Sequence, residues 1–139
     1  MSASDTKQVR LKWTGSGLAF RGGPDGGFQV GIDSDGEIGQ SPMEMLLMAL
    51  AGCMAIDVLM ILGKGRVHVE DLEVEAIGER ASSVPRRYVT IRLIYRLKGP
   101  AADDRPKLER AIELSRDKYC SVLHTLDPET EIDIRIESD

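Results

Sequence analysis

Apolar and polar residues alternate along much of this chain, a pattern typical of β-strands with one buried face. Three short strands are predicted at about residues 7–14, 17–22 and 27–33, separated by turns that contain Gly and Pro. Two longer antiparallel strands, in VEDLEVEAIGERA and RRYVTIRLIYRLKG, are predicted to join near SSVP, and ETEIDIRIES predicts a last strand. In the fifth strand one face is predicted to carry Val89, Ile91, Leu93 and Tyr95.

One segment, residues 41–63, is apolar on nearly every side and predicts a long helix. Ser41 is predicted as its N-cap, Pro42 as its first residue and Glu44 as the carboxylate of a capping box. At 1.5 Å per residue the helix would be about 33 Å long, enough to cross a bilayer. A membrane span is disfavoured because Asp57 would cost about 2.5–3.5 kcal/mol in the apolar slab. A helix without a polar face needs cover on all sides, which predicts an obligate dimer.

A second helix is predicted from Asp104 or Arg105 to about Leu126, and its pattern is amphipathic. At 100° per residue, Cys120 lies about 120° from the centre of its apolar stripe. Cys120 is therefore predicted to be exposed, or to face a polar site or a second surface. The stripe itself consists of Leu108, Ala111, Ile112, Ser115, Tyr119, Val122, Leu123 and Leu126.

The predicted order of elements, βββ-α-ββ-α-β, indicates an α+β fold, with residues 1–139 forming a single domain. Hydrophobic residues make up 42% of the chain and charged residues 29%, as in soluble globular proteins. The net charge of −5 and the lack of a basic run argue against nucleic acid as a partner. The N-terminal residues lack the apolar core of a signal peptide, so we expect a cytoplasmic protein.

Candidate chemistry centres on the two cysteines, Cys53 and Cys120, which are far apart in sequence and form no CxxC motif. In a reducing compartment they could be buried thiols, metal ligands or a redox pair. On the first helix, Cys53 and Asp57 fall within about 40° of one another. A neighbouring carboxylate disfavours a thiolate, so a reactive Cys53 would need an Arg or Lys from elsewhere in the protein.

A zinc site is the metal-binding alternative, with Cys53, His68, Cys120 and His124 as four ligands. The sequence lacks the short CxxC or HxxxH spacing that anchors such sites. We therefore expect both histidines at the surface, and neither a metal nor another cofactor.

Two motifs resemble the OsmC/Ohr family of thiol-dependent peroxidases. SPMEMLLMALAGC is similar to the family's helix-opening pattern, and AIELSRDKYCSVLHTL is similar to its second-cysteine helix. The predicted order of elements matches the family over nearly the whole chain, and the first motif is most similar to its YhfA-like branch. The resemblance implies an intertwined homodimer, with long central helices wrapped by antiparallel sheets and two sites at the subunit interface.

The same resemblance implies a function in the oxidative stress response. Cys53 would be the peroxidatic nucleophile and Cys120 the resolving thiol of an organic hydroperoxide reductase. The expected reductant is a lipoyl-type dithiol. The apolar residues around Cys53 would suit an organic hydroperoxide better than hydrogen peroxide.

Two positions depart from the family pattern, and a third matches it by position only. The family's catalytic Glu directly follows the motif proline, where this chain has Met43 and places its acid one residue later, at Glu44. Arg21 is the best match by position for the arginine that stabilises the thiolate, and Ser121 replaces a common proline. These departures keep a second function open: a non-enzymatic dimer that binds a small lipophilic or electrophilic ligand in its interface pocket.

Overall fold

The predicted order of strands and helices is confirmed in the structure, a computed structural model that describes residues 5–138. Six strands and two helical regions follow one another as βββ-α-ββ-α-β, which confirms the α+β fold. The described residues form two compact units, which divide between Leu46 and Leu47.

The first unit contains a three-stranded antiparallel sheet of β1 (Arg10–Trp13), β2 (Ala19–Gly23) and β3 (Val30–Asp33). These strands are shorter than the alternation of residues predicts. Turns take up the flanking residues, with Gly15 at φ 94° after β1 and Gly26 at φ 74° after β2. A positive φ is readily adopted by glycine and ends the extended backbone.

Helix α1 spans Pro42–Lys64 and begins at the predicted capping box. The Ser41 backbone N–H donates to Glu44 Oε1 at 3.0 Å, and the Glu44 backbone N–H donates to Ser41 Oγ at 3.2 Å. These two bonds satisfy amide groups that have no acceptor within the helix. The hydrogen bonds from Ser41 also hold the pKa of Glu44 below its usual value.

The end of α1 is formed by Arg66, which adopts a left-handed conformation with φ 58°. Its N–H donates to the Gly63 carbonyl at 3.1 Å, and the Val67 N–H donates to the Leu62 carbonyl at 2.9 Å. This pair of bonds is the Schellman arrangement, in which glycine usually occupies the left-handed position.

Only one stripe of α1 is buried within the chain. The buried residues are spaced by four, which places them on one face of the helix: Leu50, Met54, Val58 and Leu62. Ile56, by contrast, is 59% exposed, and the exposed apolar residues around it are Met48, Leu59 and Met60. By length and composition α1 would meet the requirements of a membrane span, as no other described helix does. The single chain thus leaves an apolar face of α1 uncovered, and the predicted dimer stays a prediction.

The second unit contains a sheet of β4 (Asp71–Arg80), β5 (Tyr88–Lys98) and β6 (Glu131–Ser138), in that order. β4 and β5 form the predicted antiparallel hairpin. β6 pairs in parallel with β5, so the predicted antiparallel pairing does not extend to this strand. Parallel pairing requires a crossover connection, which the helical region between β5 and β6 provides.

The inward face of β5 contributes much of the core of the second unit. Ile91, Leu93 and Tyr95, which were predicted to share one face, are all buried, whereas Val89, near the start of the strand, is exposed. On the opposite face Arg96 forms ion pairs across the sheet with Glu73, Glu75 and Glu137.

The second helical region is not one continuous helix. It consists of α2 (Arg105–Leu114), a π-helical turn (Ser115–Tyr119) and a short α3 (Ser121–Thr125), so the prediction of a single helix to about Leu126 is wrong. The Cys120 N–H donates to the Ser115 carbonyl at 2.8 Å, five residues back. In an α-helix the acceptor lies four residues back, so this π-helical turn contains one residue more than an α-helical turn.

The extra residue changes which side chains after α2 point inward. It sets the following residues back by about 100°, which moves Cys120 from about 120° to about 20° from the centre of the apolar stripe. Cys120 is fully buried as a result, and Tyr119, predicted to lie in the stripe, is 49% exposed.

Candidate thiol site

Three side chains with reactive groups meet in the second unit. The sulfurs of Cys53 and Cys120 and a carboxylate oxygen of Asp57 all lie within 4.8 Å of one another. Cys53 and Asp57 are one turn apart on α1, as the sequence predicts. Cys120 lies between the π-helical turn and α3, and it faces this polar site, which was one of the predicted alternatives.

The two thiols have different surroundings. Cys53 is partly exposed, whereas Cys120 is buried and caps α3, its sulfur accepting the Leu123 N–H at 3.3 Å. Burial raises the pKa of Cys120 to about 11. The Leu123 N–H opposes this shift, while the hydrogen bond with Cys53 and the charge of Asp57 add to it. Cys120 is therefore a protonated thiol at neutral pH.

The Asp57 carboxylate is oriented by Ser115, the first residue of the π-helical turn. The Ser115 hydroxyl donates to Asp57 Oδ2 at 2.9 Å, and Ser115 is fully buried. The hydrogen-bonding partner of Asp57 among the described residues is thus a neutral hydroxyl. The same turn that directs Cys120 inward therefore also supplies the group that holds Asp57.

Tyr95 is a site residue that the sequence analysis missed. It is fully buried, and its hydroxyl has no hydrogen-bond partner among the described residues. Burial raises the pKa of Tyr95 above its usual range, and negative charge on Cys120 and Asp57 raises it further, because the phenol lies within electrostatic reach of both. Buried phenols usually have a hydrogen-bond partner. A usable signal was present in the sequence, since Tyr95 carries the only polar atom on the predicted inward face of β5.

The other two predicted site residues belong to the first unit. Arg21 lies on β2 and is exposed, and Glu44 forms the capping box of α1. Both residues belong to the first unit, whereas the thiol cluster belongs to the second, so their catalytic roles stay predictions.

The two histidines lie at the surface, as expected. His68 is within 3.5 Å of Glu70, and His124 Nε2 is 3.0 Å from the Arg116 carbonyl oxygen. Neither histidine belongs to the cluster of Cys53, Asp57 and Cys120. In the part of the chain that the structure describes, the alternative set of two cysteines and two histidines is therefore not assembled.

Comparisons with known proteins agree with the fold. The family model described as OsmC-like protein matches residues 34–135. Protein YhfA of Escherichia coli K12 is 45% identical over 116 residues, which are 83% of this chain and 85% of YhfA. A hypothetical protein from Aquifex aeolicus VF5 has a crystal structure with a TM-score of 0.85 and 31% identity, covering 98% of each chain. An organic hydroperoxide resistance protein from Elizabethkingia anophelis shares the fold, with a TM-score of 0.67 at 10% identity over the full length of both chains. The chain belongs to the OsmC-like protein family.

Proposed function

We propose that the protein is a two-cysteine peroxidase that reduces organic hydroperoxides in the cytoplasm as part of the oxidative stress response. The observation that carries this proposal is the approach of the Cys53 and Cys120 sulfurs to within 4.8 Å. A disulfide requires the sulfurs to come to about 2.05 Å, which rotations of two side chains and small backbone shifts could achieve. Membership of the OsmC-like family adds support for a redox role.

In the proposed cycle the Cys53 thiolate attacks one oxygen of the O–O bond. An S–O bond forms, the O–O bond breaks, and the alcohol leaves with a proton, so that Cys53 becomes a sulfenic acid. The sulfur of Cys120 then attacks the sulfur of Cys53, forming a disulfide and releasing water. The two thiols lose two electrons, which the hydroperoxide gains as it becomes alcohol and water. A lipoyl-type dithiol restores both thiols by exchange and is itself oxidised to its disulfide.

The surroundings of the two thiols support this division of roles. Cys53 is partly exposed and can meet a substrate, whereas Cys120 is buried and protonated, with its pKa raised to about 11. Asp57, in the same cluster, is the proposed acceptor of the Cys120 proton during disulfide formation. The proposed attack needs a thiolate on Cys53, and we assign the role of the cation that stabilises it to Arg21. Glu44 is the proposed catalytic carboxylate.

The proposed functional unit is a homodimer. The uncovered apolar face of α1, which includes the 59% exposed Ile56, is the surface that supports this assignment. Packing of this face against a second copy of the chain would remove the apolar side chains of α1 from water without insertion into a membrane. No nucleic acid enters the proposed cycle.

One observation favours a second function. The Asp57 carboxylate lies beside both thiols and adds to the raised pKa of Cys120, and its bonded partner is the neutral Ser115 hydroxyl. A dimer that binds a lipophilic or electrophilic small molecule would need no thiolate. Its two thiols would then persist in the presence of hydroperoxide.

The test is a titration of free thiols per chain before and after one equivalent of cumene hydroperoxide, with hydrogen peroxide in parallel. We expect both thiols to be lost faster with cumene hydroperoxide and to return with dihydrolipoamide. Cys120→Ser should stop at a sulfenic acid on Cys53 that dimedone traps, and Cys53→Ser should keep its remaining thiol. Ser121→Ala, a change beside Cys120 that leaves both thiols in place, should behave as wild type. Thiols that survive a large excess of hydroperoxide would exclude the peroxidase and favour the binding function.

A further inference from the structure

The donor atoms of the thiol cluster are also those of a metal site. Cysteine sulfur and carboxylate oxygen both bind zinc, at about 2.3 Å and about 2.1 Å respectively. In tetrahedral geometry these bond lengths place neighbouring donor atoms about 3.6–3.8 Å apart. The donor atoms of Cys53, Asp57 and Cys120 already lie within 4.8 Å of one another. An approach of about 1 Å, within the reach of side-chain rotation, would complete three metal bonds.

The contacts around the cluster are those that support metal ligands. The Ser115 hydroxyl donates to Asp57 Oδ2 at 2.9 Å, which fixes the carboxylate plane. The Leu123 N–H donates to the Cys120 sulfur at 3.3 Å, a contact that stabilises a metal-bound thiolate. Hydrogen bonds of this kind orient the side chains that bind the metal and strengthen metal binding in known sites. Cys120 is buried, whereas Cys53 and Asp57 are half-buried, so the cluster is only partly exposed to water.

A further observation, independent of the ligands, points to an additional bound group. The Tyr95 hydroxyl is fully buried, has no hydrogen-bond partner among the described residues, and lies within electrostatic reach of Cys120 and Asp57. Three protein ligands leave one tetrahedral position of a zinc ion open, usually for water or substrate. A group in that position could bond to the Tyr95 hydroxyl.

We propose that the reduced protein binds one thiophilic divalent cation, zinc in the cell, through Cys53, Cys120 and Asp57. The fourth position is open to water or another small group, which is the proposed partner of the Tyr95 hydroxyl. On binding, two S–H bonds break, two zinc–sulfur bonds form, and two protons pass to solvent. The same two sulfurs cannot hold the ion and form a disulfide at once, so the metal-bound and disulfide states exclude each other. The site does not depend on the proposed peroxidase activity.

The experiment measures metal binding to the reduced full-length chain after treatment with a chelator. Zinc affinity is obtained by competition with a chromogenic chelator, and Co²⁺ is used as a spectroscopic probe. We expect about one ion per chain, and a sulfur-to-cobalt charge-transfer absorption that shows thiolate ligation. Cys53→Ser and Cys120→Ser should each weaken zinc binding by about 100-fold or more, since even the loss of supporting contacts costs about 10–100-fold. Asp57→Asn should weaken it by about 10-fold or more.

The matched control is His68→Gln, which removes a metal-binding side chain outside the cluster and should keep the wild-type affinity. Circular dichroism shows which of these variants are folded.

A second experiment measures alkylation of the wild-type protein and needs no variant. Bound zinc should slow alkylation of Cys53 by N-ethylmaleimide by at least about 10-fold, because a metal-bound sulfur is a poor nucleophile. Unchanged alkylation, or an Asp57→Asn variant that is folded and binds zinc as tightly as wild type, would overturn the site. Loss of thiols to hydroperoxide without zinc binding would overturn this inference alone and leave the peroxidase standing.

Discussion

Glu44 is the residue at which two roles must be separated. It completes the capping box with Ser41, and the family pattern also makes it a candidate catalytic carboxylate. Glutamine at this position can still accept the Ser41 N–H, but it carries no charge. A substitution that keeps the cap and removes the charge therefore distinguishes the two roles.

We expect Glu44→Gln to unfold at nearly the wild-type urea concentration and to lose about 100-fold or more in the rate of hydroperoxide-induced thiol loss. Glu44→Ala serves as the control for the cap and should in addition unfold at a lower urea concentration, because the Ser41 N–H loses its acceptor. Urea denaturation followed by circular dichroism, together with stopped-flow thiol assays, provides both readouts. A Glu44→Gln variant with the wild-type rate would leave Glu44 as a helix cap alone.

Asp57 and Tyr95 show how far single residues can be interpreted from sequence. Asp57 could be assigned to the site because it shares a helix with Cys53, and a regular helix fixes the angle between them. Tyr95 could be placed on the inward face of β5 but not at the thiols. Its role depends on which residues of other elements it meets, and that is decided by tertiary packing.

The end of α1 is an element whose stability can be tested directly. Arg66 occupies the left-handed position of the Schellman arrangement with φ 58°, where a residue with a β-carbon is strained. Glycine relieves that strain, although part of the gain is lost because glycine makes the unfolded chain more flexible.

We expect Arg66→Gly to raise the unfolding free energy by about 0.5–1 kcal/mol. Arg66→Ala keeps the β-carbon and should stay near the wild-type value, which makes it the matched control. Equilibrium urea unfolding measures both variants. Equal midpoints for all three proteins would mean that the left-handed residue carries no strain.

At the level of elements, the sequence predicted those whose signals are local. The capping box, the alternation of β5 and its hairpin with β4 depend on neighbouring residues, and they were confirmed. The π-helical turn was missed because no residue type marks it, and the amphipathic pattern of a regular helix continues through Ser115–Tyr119. The parallel direction of β6 was missed because it depends on the path of the helical region between β5 and β6, which no local sequence pattern indicates.

For the whole molecule, the apolar face of α1 predicts self-association. Burial of an Ile side chain contributes about 2 kcal/mol, and a symmetric interface contains two copies of each residue. Ile56→Glu removes that burial and adds a charge that is costly to desolvate.

We expect the wild-type 15.3 kDa chain to sediment as a dimer. In Ile56→Glu the dissociation constant of the dimer should rise by about 1000-fold, because the two copies of Ile56 together lose about 4 kcal/mol of burial free energy. Val84→Glu is the matched control, because Val84 is 89% exposed in a loop outside α1. Sedimentation velocity over a range of concentrations measures all three. A wild-type monomer at micromolar concentration would contradict the dimer and with it the interface pocket.

The π-helical turn makes the chemistry of the protein depend on the number of residues in a segment and not only on their identity. A homologue with one residue fewer between Ile112 and Cys120 would keep both cysteines and a regular helix. Its second thiol would still point inward, because the deletion removes the one residue that the π-helical turn adds. A homologue of unchanged length with a regular helix would instead direct this thiol about 100° away from the buried position. Two aligned cysteines are therefore an insufficient criterion for a thiol pair in related sequences. Segment length and helix type should be compared together, because a deletion that is not matched by loss of the π-helical turn would separate the pair without altering either cysteine.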